Sequence, residues 1–430
     1  MHRFLSLILL VLFVLPASGQ QLVDQIADAL EPKVIEWRRD FHQNPELSNR
    51  EFRTAGIVAE HMRSLGIEVT TKVAHTGVVG VLRGAHPGPT VALRADMDAL
   101  PVKERVDLDF KSEVTSLYRG EEVPVMHACG HDTHVAMLMG AAEALAGMRD
   151  DLHGTVKFIF QPAEEGPPPG EEGGAELMVK QGVMEDVDVV FGLHIGASSY
   201  VGTIEYRPMG MMAAVDDFRI VLKGKQAHGS APWLGIDPIV TSAQIINNIQ
   251  TIVSRSMRLT KAAAVVTVGS IHGGVRSNII PEELEMLGTI RTFDPEMRLQ
   301  LHERFRTIVN STATSNGATA QIQLPYSAHY PVTFNDPTLT DQMLPTLRRT
   351  AGEKNVVQIE AVTGAEDFSF FAREVPGLFL FLGGKPLDVP SDVKVSHHTP
   401  DFYIDESGMK LGVRTLLNLT LDYMSQASTQ

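Results

Sequence analysis

Cysteine is almost absent from this chain: Cys129 is the only one in 430 residues. No intramolecular disulfide can form, so stability outside a reducing compartment must come from core burial. With 43% hydrophobic residues, a chain of this length can bury two large cores. Positive charge is also scarce. Lys and Arg number 37 against 52 Asp and Glu, a net −15, and no basic cluster occurs. That balance argues against nucleic acid or an anionic membrane as partner. Long apolar runs are missing after the first residues. Phe4 to Leu15 is almost wholly apolar, follows Arg3 and leads into Pro16-Ala17-Ser18-Gly19. This run is too short to span a bilayer, and the small residues suit a cut before Gln20. Residues 1–19 are therefore expected to be a secretory signal, and the remainder an exported, soluble protein, periplasmic or extracellular. Losing Arg3 leaves 36 basic and 52 acidic residues, net −16. Internal repeats are lacking too. The one low-complexity stretch, Glu164–Gly174, reads as a Pro/Gly loop.

Periodicity supplies the organisation. Apolar runs at 78–82, 90–93, 156–160, 187–193 and 378–382 read as buried strands, with helical patterns at 51–65, 132–148 and 172–181. Alternating strands and helices imply an α/β catalytic domain with a mostly parallel sheet, spanning 20–211 and 326–430. Between them, 212–325 follows another order. A strand at 218–222 precedes a helix opened by Asp237-Pro238, then strands at 264–270 and 284–292, a helix from Asp294, and a strand at 318–324. That βαββαβ order predicts an inserted ferredoxin-like domain.

Polar clusters follow the predicted strands: Arg94-Ala95-Asp96-Met97-Asp98, Gln161-Pro162-Ala163-Glu164-Glu165, and His194. Open α/β sheets bind ligands at the carboxyl ends of their strands, so separate segments would deliver Asp, Glu and His to one sheet edge. His127-Ala128-Cys129-Gly130-His131-Asp132-Thr133-His134 adds a thiol and three imidazoles. Cys129 could be a metal ligand, a nucleophile or a buried bystander. Cys129 and His131 can face one ion from a loop, with Asp132 capping the helix that follows. Alternatively, His131 and His134 share a helix face. Thiolate, imidazole and carboxylate suit zinc, manganese, cobalt or nickel. In Glu164–Glu165 one carboxylate can coordinate while its neighbour deprotonates water. The bland alternative is two solvated loop glutamates.

Together with Ala92–Pro101 (ALRADMDALP), Phe160–Gly166 (FQPAEEG), Phe191–His194 (FGLH), Ser277–Pro281 (SNIIP), Gly364–Phe368 (GAEDF) and His398-Thr399-Pro400, this HACGHDTH block resembles the aminoacylase-like di-metal peptidases. The likeness is to the amidohydrolase branch with hippurate and indoleacetyl-amino-acid hydrolases, and it covers about 30 to 425. The resemblance implies a site for two divalent ions on Cys129, His131, Glu165, His194 and His398, with Cys129 where relatives place a bridging aspartate. His397 adjoins His398, and the histidine-small-proline pattern favours His398. Glu164 would be the general base. Asp98 would orient a ligand histidine, a role Asp96 could share because it stands where relatives have a histidine. The stretch 167–172 is longer than the family's usual loop. The inserted domain resembles the family's lid: His228 would polarise the scissile carbonyl, Asn278 would contact substrate, and Arg291 could anchor a carboxylate. The implied reaction is hydrolysis of N-acyl amino acids by a lid-mediated homodimer. A dipeptidase or carboxypeptidase, a cysteine hydrolase using His131 or His134 as base, and a non-catalytic binding protein are the rivals.

Overall fold

The computed structural model describes residues 19–427, apart from 328 and 394. The expected secretory signal therefore lies outside the described residues, save for Gly19.

An eight-stranded sheet organises most of the chain, in the order Glu68–Val73, Gly77–Arg83, His153–Gln161, His86–Asp96, Val189–Tyr200, Gly377–Lys385, Ile204–Tyr206 and Val356–Gln358. The central four strands run parallel to one another. Their unbroken apolar runs, such as Val189–Leu193 and Leu378–Leu382, fit strands covered on both faces. One face carries Gly19–Gln43, His131–Gly147 and Met409–Ala427, which pack on each other. The other carries the short helices Gly174–Lys180 and Phe368–Glu374. Beyond its polar first turn, helix His131–Gly147 is apolar apart from Glu143 and buried along nearly its whole length, as a helix sandwiched in a core should be. Among the described residues, no helix is long and apolar enough to cross a membrane.

A four-stranded antiparallel sheet lies between the two parts of this unit. Its order is Ala264–Gly273, Glu283–Thr292, Ala214–Lys223, Thr319–Gln323. With helices Pro238–Thr251 and Pro295–Ser315, this is the βαββαβ topology of a ferredoxin-like unit. Phe218, Ile220, Ile249, Met286, Leu301 and Phe305 form a core of its own. Asp-Pro pairs start these helices: the Asp237 and Asp294 carboxylates accept backbone N–H groups of the first turn while proline occupies the next position. The chain enters this lid after Met209–Met212 and returns to Thr333–Asn335, and these two short strands pair with each other.

Register brings the polar residues together. Asp96 ends its strand opposite Gln161, Arg94 pairs with Gly192, and His194 pairs with Phe381. Asp96, Gln161 and His194 therefore lie at one level of the sheet. One expectation changes here. His194 does not follow its strand but sits inside it, because pairing with Gly377–Lys385 carries the strand on to Tyr200.

Candidate metal centre

Gly130 sets the geometry of the thiol. Its φ of 93° is left-handed, and a Cβ there would lie 2.3 Å from Ile195 Cγ2, so only glycine fits. Helix His131–Gly147 begins directly after it. The expectation that Asp132 caps this helix is not met, since Gly130 occupies the cap position. Asp132 lies in the first turn, where its carboxylate meets Arg38 Nε at 2.9 Å and His42 Nδ1 at 2.8 Å. Burial opposes its ionisation, but Arg38 and His42 hold its carboxyl well below the usual range.

Around Cys129 the donors converge. Its Sγ lies 3.4 Å from His194 Nε2 and 3.3 Å from His398 Nε2. Cys129, His131 and Glu165 form one group of donor atoms within 4.8 Å of one another. His398 Nε2 is 2.9 Å from Glu165 Oε1. The other nitrogens of two of these histidines are pinned: His131 Nδ1 donates to the Asp98 carbonyl at 2.8 Å, and His194 Nδ1 to the Ile195 carbonyl at 2.8 Å. This leaves each Nε2 free as a ligand. His131 Nε2 is buried without a hydrogen-bond partner.

The neighbouring histidines are occupied otherwise. His397 Nε2 accepts the Ala197 N–H at 3.1 Å and Nδ1 faces the Cys129 carbonyl at 3.1 Å, so backbone claims both nitrogens. His134 donates to Asp96 at 2.5 Å and accepts the Ile195 N–H at 2.8 Å. Both stand close to candidate donors, His397 with Cys129 and His194, and His134 with Asp96 and His131, but these bonds already engage their nitrogens. His127 is fully buried, has no partner for either nitrogen, and is driven by burial down to about 3.

Asp98 does more than hold a histidine. Its carboxylate accepts Ser48 Oγ at 2.7 Å and the backbone N–H groups of Glu164 and Glu165 at 3.0 Å each. The oxygen nearest His131 Nδ1 is 3.4 Å away, whereas the Asp98 carbonyl is closer. Asp98 thus shapes the loop bearing both glutamates. Asp96 takes the histidine-holding part, on His134. Two non-glycine residues with left-handed backbone flank the centre, Ala163 (φ 53°) and His398 (φ 60°). Such conformations cost about 1–3 kcal/mol and persist where surroundings enforce them.

Local sequence pattern assigns no role to the acidic residues around this centre, although Gly364–Phe368 (GAEDF) belongs to the family resemblance. Buried Arg94 binds Asp96 at 2.7 Å, Glu366 at 2.8 Å and Asp367 at 3.0 Å. Glu164 carries its carboxylate to within 4.8 Å of those of Glu366 and Asp367. One guanidinium therefore faces a surplus of buried carboxylates, an arrangement that favours added cations. Burial, then Glu366, Glu165 and Asp367, push the Glu164 carboxyl well above its usual range. Burial, then Glu165 and Glu164, likewise push the Cys129 thiol up. Burial pulls His131 down, but Asp96 and Asp98 outweigh it and raise it to about 10, so an ion taking Nε2 displaces a proton. The unpartnered His131 Nε2, the convergent donors and the surplus negative charge all fit divalent metal.

A cleft of about 1100 Å³ opens over these groups. Cys129, Glu164, Glu165, His194, His397 and His398 line its floor, and Leu177, Met212, Ile359, Val362, Phe370 and Phe381 give it an apolar wall. The lid candidates lie elsewhere. His228 and Asn278 are exposed and adjoin through paired strands, and Arg291 sits on the lid sheet. None of the three lines the cleft.

Comparison with known proteins agrees with this geometry. Residues 92–422 match peptidase family M20/M25/M40, and the chain belongs to that family. Thermostable carboxypeptidase 2 of Saccharolobus solfataricus is 44% identical over 384 residues, covering 89% of this chain and 93% of that protein. IAA-amino acid hydrolase ILR1-like 2 of Arabidopsis thaliana is 33% identical, covering 100% and 97% respectively. Among solved structures, the Bacillus subtilis YxeP protein, described as a dinuclear metal binding peptidase of this family, superposes with a TM-score of 0.76 at 33% identity, covering 93% of this chain and 99% of that one. The chain is a metal-dependent hydrolase with a two-metal centre.

Proposed function

We propose that this enzyme hydrolyses the amide bond of N-acyl amino acids, releasing a carboxylic acid and a free amino acid. The observation that carries the reading is Glu164, buried beside the donor cluster at the floor of a cleft with an apolar wall. Cys129, His131, Glu165, His194 and His398 would hold the two ions. When bound, divalent metal supplies Lewis-acid polarisation of the attacking water and the scissile carbonyl. Glu164 takes the proton from water and returns it to the departing amine. Asp98 fixes the backbone from which Glu164 and Glu165 project. The apolar wall of Met212, Val362, Phe370 and Phe381 receives the acyl group and excludes water from it. Zinc, manganese, cobalt and nickel all suit the donor set.

A second reading, carboxypeptidase action on peptides, is favoured by the 44% identity to a thermostable carboxypeptidase. Both readings cleave next to an amino acid with a free carboxylate. Comparing kcat/KM on hippurate-like substrates with that on free dipeptides and longer peptides separates them. Higher values on the N-acyl series support the first reading, and higher values on peptides with a free amine replace it.

His228, Asn278 and Arg291 enter this reading through a lid-mediated homodimer. His228 lies near exposed Trp233 and Leu234, apolar surface that a second copy would cover. Light scattering showing only monomer removes that part. Export, with residues 1–19 as signal, predicts a processed protein beginning at Gln20 by N-terminal sequencing.

A further inference from the structure

The catalytic loop is held from an unexpected side. The chain returning from the lid passes over the segment that carries Glu164 and Glu165, and two neighbouring residues grip its two ends. Tyr330 donates its hydroxyl to the Glu164 carbonyl at 2.8 Å, and His329 Nε2 meets Glu176 Oε2 at 3.0 Å. Just upstream, the same linker is fastened to the lid. The Tyr326 N–H donates to the Asp217 carbonyl at 2.7 Å, and Ser327 Oγ to the Asp217 carboxylate at 2.7 Å. Asp217 belongs to the lid strand Ala214–Lys223. The same lid strand also reaches Tyr330, because the Val215 N–H donates to the Tyr330 carbonyl at 3.0 Å. Tyr326, Ser327 and Tyr330 are thus all fixed to the lid strand, and Tyr330 also reaches the loop of the base.

We propose that this return linker is a clamp that ties lid position to the placement of Glu164, with Tyr330 as its main positioning residue. The inference rests on Glu164 being the base. Tyr330 touches the Glu164 backbone and not its side chain, so it acts by fixing the carbonyl while Asp98 fixes the N–H on the other side of the same residue. Nothing else in the site requires a phenol there. The Tyr330 ring lies against Phe370, 6.1 Å between centroids, and Phe in its place would keep that packing. Local bonds hold the loop at its start, Glu51 on the Ala163 N–H and Asp98 on the next two. Asn49, Arg50 and His75 hold Glu171 and Glu172 further along, and the linker adds the two points at Glu164 and Glu176.

The test is Tyr330→Phe and Ser327→Ala, singly and combined, in metal-loaded full-length protein. The clamp predicts kcat falling about 2- to 10-fold for Tyr330→Phe, the range one neutral hydrogen bond can hold, with KM within twofold and metal content unchanged. Ser327→Ala, which removes one of the three bonds to the lid strand and none to the loop, should lower kcat in the same direction but less, and the double variant should lose less than the product of the two. Hydrogen exchange of the 163–176 backbone should quicken in each variant, a readout independent of which substrate is cleaved. Unchanged exchange in that segment, or an unaltered kcat in Tyr330→Phe, overturns the clamp. Exchange that quickens in an enzyme inactive on every amide tested leaves the clamp standing and overturns the assigned reaction instead.

Discussion

Replacing Asp98 with Asn changes one atom in size and almost nothing in shape, yet it should disable the loop that carries both glutamates. The carboxylate accepts three hydrogen bonds, from Ser48 Oγ and the N–H groups of Glu164 and Glu165. Glu164 N–H points at one oxygen, and Ser48 and Glu165 at the other. An asparagine must turn its NH2 toward one of these sides, and every group there is a donor. The least costly choice gives up the Glu164 bond and leaves that buried N–H facing another donor. Bonds to a charged acceptor are worth about 1.5–3 kcal/mol each, and the two that survive weaken as the charge is lost. The expected destabilisation is about 2–4 kcal/mol, read from urea-unfolding midpoints. A displacement of Glu164 by about 1 Å is enough for a kcat loss of about 10²-fold. A variant within about 1 kcal/mol of the parent and within threefold in kcat would refute this assignment of Asp98 to the glutamate loop.

Other expectations follow from the same contacts. Gly130→Ala puts a methyl against Ile195 in a left-handed backbone, so it should cost about 2–4 kcal/mol and lower metal content, checked by thermal melting and metal analysis. His398→Ala should lower metal stoichiometry, whereas His397→Gln should keep it, because backbone already claims both nitrogens of His397. Equal metal loss in the two would contradict the ligand choice. Burial, then Asp98, raises the Glu51 carboxyl to about 8. Its contribution to stability is therefore complete below about 4.5 and is lost as pH rises through 8. Glu51→Gln can still accept from Ala163 and donate to Thr76, so it should match the parent near pH 4.5 and melt higher near pH 9. Equal destabilisation at both pH values would sink that reasoning.

How much of this was legible in the chain depended on whether the information was local. Strand positions came from unbroken apolar runs, and the lid topology from Asp-Pro helix starts between alternating segments. Cys129 and His131 could be read from their spacing around Gly130, although Gly130's left-handed backbone, which displaced Asp132 from the cap, could not. What failed to show was long-range pairing. Arg94 meets Glu366 and Asp367 some 272 positions away, and only the parallel register of the central strands joins them. The blocks ALRADMDALP and GAEDF contained these residues without revealing that they share a charge network. Tyr330 gave no signal at all, since its function lies in where the return linker passes. Helix Gly19–Gln43, which brings Arg38 and His42 to Asp132, was likewise silent. For the lid residues the family pattern named His228, Asn278 and Arg291, but one copy of the chain does not bring them to the cleft.

The division of labour between Cys129 and Glu164 is the central claim, and Glu164→Gln tests it most directly. The variant keeps the volume of the side chain and leaves every proposed ligand in place. Metal analysis on the purified protein should return two ions per chain, as in the parent, while kcat on N-acyl amino acids falls by roughly 10²–10⁴-fold. Two bound ions with undiminished turnover would remove Glu164 as the base and reopen the case for Cys129 as nucleophile.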